Sequence, residues 1–222
     1  MKRVTAFLTL LLSLFAIAGC AKAEWKPLFD YSSASRHSAA TPTPHVTATA
    51  NPNELFVMEA DTMDAPSVVV YKSRHLLEVF DGNKLMARMK IAIGTSPKGP
   101  KTKEGDGKTP EGAYYICFRN NQSKKFYKSL VLSYPNEADA LRGQDAGLIN
   151  QGEYSAIAKA IDDQGKPPWN TAMGGEIAIC GYGTDGVGKT GDWTSGNIAV
   201  TDKEMDYLWK YVSISAEVVI KP

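Results

Sequence analysis

Histidine is scarce in this chain, and it stops early. Of 222 residues only His37, His45 and His75 are histidines, and none follows position 75. They are scattered, and no His or Cys pair shows ligand spacing, so no metal centre is expected and no cofactor is called for. Neither sign of charge is in excess: 25 Lys and Arg face 24 Asp and Glu, a net +1. There is no basic stripe interleaved with aromatics, which argues against nucleic acid as a partner. No internal repeat occurs. Long apolar runs are absent except for residues 4–19, which fall short of the ~20 residues a comfortable membrane span needs. What remains is ordinary globular material. Hydrophobic residues make up 43% and charged residues 22%, with room for one domain of usual size plus extras.

The single apolar run follows Met1-Lys2-Arg3, so residues 1–20 read as a signal peptide. The run closes on Ile17-Ala18-Gly19-Cys20, which resembles a bacterial lipoprotein box. That resemblance implies that Cys20 is lipidated, becomes the mature N-terminus and makes the membrane a partner. A plain secretory signal that ends near a cysteine is the other reading. Ala21 rather than Asp follows, and by similarity to Gram-negative lipoproteins this points to the periplasmic side of the outer membrane. In an exported, oxidising setting Cys117 and Cys180 could pair if their Cα atoms lie within about 7 Å, a point the sequence leaves open.

Residues 21–55 are rich in Ser, Ala, Thr and Pro and read as a tether, with His37 and His45 solvated within it. Stretched out it would reach roughly 115 Å, and as a coil about 33 Å. The folded domain is placed at 56–222. "SVVVYK", "HLLEVF" and "KLMARMKIAIG" read as strands, the last two joined at the hairpin signal Asp81-Gly82-Asn83. His75 is assigned to one of these early strands. Gly and Pro rule out regular structure over 94–112, a lysine-bearing segment expected to be a solvated surface loop. Strands are expected at "AYYICFR", "SLVLSYP", "EIAICGYG", "NIAV" and "AEVVIKP". Asn136 is expected to cap one helix. Tyr154, Ile157 and Ile161 recur at helical spacing, as if packing a second helix on the sheet. Thr201 with Glu204 forms a Thr-x-x-Glu capping box before a third, whose Met205, Leu208, Trp209 and Val212 share a face. The fold class is therefore β-rich α+β, largely antiparallel, with a few small helices.

Within that order, "GDGKTPEG", "GGEIAICGYG" and "DWTSGNIAVTDKEMDYLW" resemble the L,D-transpeptidase catalytic domain, and the similarity covers about residues 66–222. It implies a β-sandwich or barrel, a site that acts on peptidoglycan stem peptides, and a cysteine thiolate that accepts an acyl group with a histidine holding its proton. Two residues depart from the pattern. The family's histidine lies in I-x-I-H-G, where this chain has Cys180; its nucleophile lies in D-W-T-x-G-C, where this chain has Asn197. The surrounding Gly181, Asp192, Trp193, Thr194, Ser195 and Gly196 are in place. By resemblance, Gly181, Thr194, Ser195 and Gly196 are the substrate-binding candidates, and Cys180 and Asn197 occupy the catalytic positions.

Three functions are compatible with this. In the first, the domain grips stem peptides, with Asn197 as a hydrogen-bonding group, and performs no transpeptidation. In the second it remains an acyl-transfer or hydrolytic enzyme, with Cys180 attacking from the opposite wall and Asn197 as an oxyanion donor. No partner is apparent to depress the thiol pKa, and a small buried cysteine in a strand is the plainer account of Cys180. His75 would be a replacement base only if the fold brought it to the site. In the third, the scaffold serves an unrelated protein partner.

Overall fold

The computed structural model describes residues 54–184 and 186–222. Cys20, the signal and all but the last two residues of the tether lie outside the described residues.

Among the described residues nine strands form one sheet. In chain order they are β1 (Phe56–Val57), β2 (Pro66–Tyr71), β3 (Leu76–Asp81), β4 (Lys84–Lys90), β5 (Gly112–Asn120), β6 (Tyr127–Leu132), β7 (Ala178–Gly181), β8 (Ile198–Val200) and β9 (Glu217–Lys221). They lie in the order β1-β4-β3-β2-β9-β5-β6-β7-β8. Neighbours are antiparallel except β2 with β9 and β7 with β8. Beyond β4 the chain bridges back to the far end of the sheet, Ala92 to Ala199 and Gly94 to Thr194. The sheet therefore curls on itself, as the barrel expectation requires.

Alternation accounts for the core. Val68 and Val70 of β2 face Val79 and Leu77 across β3, and all four are fully buried. Glu78 lies opposite Arg88 on the next pair and accepts from its Nε at 2.7 Å. The β3–β4 turn is at Gly82-Asn83, with Gly82 at φ 55°, as the hairpin signal indicates.

Among the described residues three α-helices complete the fold: α1 (Glu137–Asp145), α2 (Gln151–Asp162) and α3 (Asp202–Tyr211). Each begins with a closed capping box, from Asn136 with Asp139, Asn150 with Glu153, and Thr201 with Glu204. On α3, Met205, Leu208 and the following Val212 are fully buried in the main core, while Trp209 is half-buried and stacks beneath Arg119 at 4.0 Å. The apolar face of α2 departs from expectation. Ile157, with Tyr154 and Ile161, packs against Ala140, Ile149 and Met173 in a separate small core, not against the sheet.

The loop over 94–112 also departs from a solvated surface. Lys101 is buried, donating to Asp106 at 2.9 Å and to the Lys103 carbonyl at 2.9 Å. Burial pushes the Asp106 carboxyl up, but hydrogen bonds from Thr102 N–H, the Lys101 ammonium and the N–H groups of Lys108 and Lys103 outweigh it and hold the group at about 2. Lys72, also buried, fastens the loop from outside by donating to the carbonyls of Gly99 and Thr109 and to Glu111 at 2.7–2.9 Å. A charged loop folds compactly here because its own carbonyls and carboxylates solvate two lysines.

Candidate functional site

The candidate residues lie where β7 and β8 run side by side. Register sets Ile179 opposite Ile198, Cys180 opposite Ala199 and Gly181 opposite Val200. Asn197, one residue before β8, thus falls beside Ala178, and it shares the strand face of Ala199 and Cys180. The turn before it is held from several sides. Thr194 is buried; its N–H donates to the Ile93 carbonyl at 3.1 Å and its hydroxyl donates to the Asn197 carbonyl at 2.6 Å and accepts from Gly196 N–H at 3.1 Å. Gly196 sits at φ 129°, and a Cβ there would come within 2.6 Å of the Lys108 carbonyl oxygen. Thr95 N–H donates to the Thr194 carbonyl at 3.0 Å. The rigid 94–112 loop therefore braces the turn that presents Asn197.

Asn197 is half-buried, and its Oδ1 accepts from Ala178 N–H at 3.0 Å. Because the main-chain group can only donate, the oxygen's assignment is fixed. The amide spans the mouth of the two strands, which leaves its Nδ2 as the group able to donate elsewhere. Ser195 beside it is exposed, whereas Thr194 is turned inward as the turn's own hydroxyl. Gly181 is wedged: a Cβ there would meet the Tyr127 carbonyl oxygen at 2.6 Å and Asp202 Oδ1 at 2.8 Å.

Cys180 is fully buried. It forms a cluster with Ala92 and Ala199, against which the half-buried rings of Phe126, Tyr182 and Trp193 pack. The last two meet edge to face with centroids 5.9 Å apart, and Lys189 lies 4.6 Å over the Trp193 ring. Cys117 is elsewhere. It sits on β5, with β6 between it and β7, and it is a free thiol that donates to the Leu132 carbonyl at 3.4 Å, so the two cysteines do not form a disulfide with each other. Burial pushes its pKa up to about 11, which leaves it a poor nucleophile at neutral pH.

His75 is not in a strand. It closes a single 3-10 turn, Lys72–Arg74, at φ 52°, and its Nε2 lies 3.0 and 3.1 Å from the two carboxylate oxygens of Asp192. Asp192 Oδ1 also accepts from Ile93 N–H at 3.1 Å. The histidine is thus joined to the start of the Asp-Trp-Thr turn by a hydrogen-bond partner 117 residues away, a connection no local pattern announces. Among the described residues, no group of three or more His, Cys, Asp or Glu side chains is arranged to hold a metal ion.

Comparison with known proteins identifies the family of the domain. The model of the YkuD L,D-transpeptidase catalytic domain matches residues 65–220. The YafK protein of Escherichia coli K12 is 26% identical over 110 residues, covering 43% of this chain and 44% of YafK. The chain thus spans less than half the length of that relative. Among solved structures, the helical cell shape determining protein Pgp2 of Campylobacter jejuni aligns over 74% of this chain and 50% of its own at 23% identity and a TM-score of 0.49. Bd1075 of Bdellovibrio bacteriovorus aligns over 76% and 54%, at 20% identity and a TM-score of 0.47.

Proposed function

The chain belongs to the L,D-transpeptidase catalytic domain family, and from that premise we propose that it grips peptidoglycan stem peptides at the Asn197 turn without joining or cutting them. The observation that carries this reading is the state of residue 197. An amide stands where the family's pattern has its thiol, and its oxygen is committed to Ala178 N–H. An amide has no ionisable proton to lose and forms no acyl intermediate. Its Nδ2 remains able to donate to a peptide carbonyl, and Ser195, two residues earlier in the turn, is exposed.

A further observation supports binding over acyl transfer. Cys180 is fully buried, in a cluster against which Phe126, Tyr182 and Trp193 pack, so a stem-peptide carbonyl reaches its sulfur only if that packing opens. The signal-like residues 1–20 and Cys20 extend the proposal: a lipid-anchored, periplasmic head on a tether, at the outer membrane, would hold the wall near the bilayer.

Intact-protein mass spectrometry after exposure to a carbapenem, an acylator of the family's thiol, tests it together with co-sedimentation on isolated sacculi. No adduct with retained sacculus binding is expected. An acyl mass mapped to Cys180 and lost in Cys180→Ala would make the protein an acyl-transfer enzyme instead. Absence of sacculus binding would remove the cell-wall role.

A further inference from the structure

A single turn ties down both sides of the segment that presents Asn197. On one side, the Lys72 ammonium holds the 94–112 loop through Gly99, Thr109 and Glu111, and the Thr109 hydroxyl accepts from Gly94 N–H at 3.0 Å. On the other side, His75, which closes the same turn, places Nε2 at 3.0 and 3.1 Å from the carboxylate oxygens of Asp192. The main chain of His75 is fixed. Its N–H donates to the Lys72 carbonyl at 3.1 Å, and its own carbonyl accepts from Ile91 N–H at 3.0 Å. Two residues further on, Ile93 N–H donates to Asp192 Oδ1 and the Ile93 carbonyl accepts from Thr194 N–H, both at 3.1 Å. Asp192 is therefore held from two directions, by the Ile93 main chain and by the His75 ring. Thr194 carries that hold on to Asn197 through its hydroxyl.

Histidine is the side chain that ordinarily gains a charge between pH 8 and pH 5. With its proton on Nε2, the neutral ring offers one N–H to two oxygens. The charged ring turns the same contact into an ion pair, and hydrogen bonds between charged partners are shorter and stronger. The contact is partly withdrawn from water, with the Asp192 side chain 16% exposed and that of His75 40%. The cations around the ring are engaged elsewhere or turned to solvent. Lys72 bonds the loop and Glu111, Arg74 lies 5.0 Å over the Tyr71 ring, Lys221 of β9 lies 5.3 Å over the same ring, and Lys90 of β4, opposite Leu76, is exposed. Among the described residues, Asp192 is the carboxylate within ion-pair reach of His75.

We propose that His75 is a positioning residue for the Asn197 turn: acting through Asp192, it tightens the turn when its ring is protonated, and so strengthens the hold on a peptide under mildly acidic conditions. A turn that is already fixed loses less freedom when it binds. For its ligand this inference rests on the stem-peptide reading; the clamp itself is measured without one.

The test uses the full chain, held in mild detergent and labelled with nitrogen-15. Spectra recorded from about pH 8.5 to about pH 5.5 follow the histidine rings and the amides of Ile93, Thr194 and Gly196, and His75→Gln identifies the ring signal of His75. The expected result is one transition shared by that ring and those amides. Hydrogen exchange of Thr194 N–H, corrected for its intrinsic pH dependence, should slow once the ring is charged. A fluorescent soluble tetrapeptide stem, titrated by anisotropy, should bind about two- to fivefold more tightly at the acid end, the scale of a partly exposed ion pair. His75→Arg, charged throughout, should hold the tighter affinity at both ends, and His75→Gln, a neutral donor, the weaker one. Asp139→Asn controls for the buried carboxyl whose pKa burial raises to about 6, and should leave the pH effect in place. Amides that ignore the ring, exchange that is unchanged or faster when the ring is charged, or equal peptide affinity at both ends would overturn the proposal. So would a pH effect that survives in His75→Gln or vanishes in Asp139→Asn. If the tetrapeptide binds at neither pH, the stem-peptide reading falls while the amide titration still decides the clamp. The same wild-type titration decides it should the His75 variants not fold.

Discussion

Truncating Asn197 to Ala isolates the structural half of its role. Ala178 is buried, and its N–H finds its acceptor in Asn197 Oδ1 at 3.0 Å. Removing that oxygen leaves a buried donor unsatisfied, at a cost of about 1–3 kcal/mol. For a domain of this size each kcal/mol lowers Tm by roughly 2–4 °C, so the expected fall is roughly 2–12 °C. Asn197→Asp keeps an acceptor in the same place and should recover most of that loss at neutral pH. Differential scanning calorimetry of the two variants beside wild type decides it. If Asn197→Ala melts within about 1 °C of wild type, the amide is not the pin between β7 and β8. If Asp and Ala fall equally, the lost quantity is packing or the Nδ2 donor rather than the acceptor bond.

Three other perturbations follow from the same geometry. Gly196→Ala puts a Cβ 2.6 Å from the Lys108 carbonyl oxygen at φ 129°, and is expected to cost at least about 2 kcal/mol, read by chemical denaturation. Asp139 is fully buried at the first turn of α1, and burial raises its pKa to about 6 against the hydrogen bond from Asn136 N–H, the Arg142 charge and the Tyr114 hydroxyl. Its folded pKa thus lies above its unfolded value near 3.9, so its contribution to stability is complete below pH 4 and fades as pH rises through 6; Asp139→Asn should flatten a loss of order 3 kcal/mol across that window in urea melts. Rebuilding the family's pair as Asn197→Cys with Cys180→His should yield a carbapenem adduct by mass spectrometry, whereas Asn197→Cys alone stays unmodified for want of a proton acceptor.

Much of this architecture can be read locally. Asn136 and Thr201 declare their helices because the capping oxygen bonds a main-chain N–H only three residues on, at 2.8 and 3.3 Å. Asp81-Gly82-Asn83 declares its hairpin just as locally, since the turn is set by Gly82 at a φ of 55°. Non-local pairing is where pattern reading fails. Lys72 and Lys101 look like solvated charges until the loop wraps carbonyls around them, and His75 looks like a strand residue until Asp192 comes up against it. The two residues of β1 are too few to show a period, and α2 carries the right spacing but turns it toward α1 and Met173. At the candidate site, the positions of Asn197 and Cys180 are legible from their flanking motifs. Neither the engagement of the amide by Ala178 nor the aromatic packing around the Cys180 cluster could be, because both depend on which strands become neighbours.

The most direct measurement is a muropeptide profile of purified sacculi incubated with this protein alone, free of active relatives. An unchanged profile, with the protein recovered on the sacculi and released by excess soluble tetrapeptide, is the expected result. New cross-linked dimers, or the loss of existing ones, would contradict it.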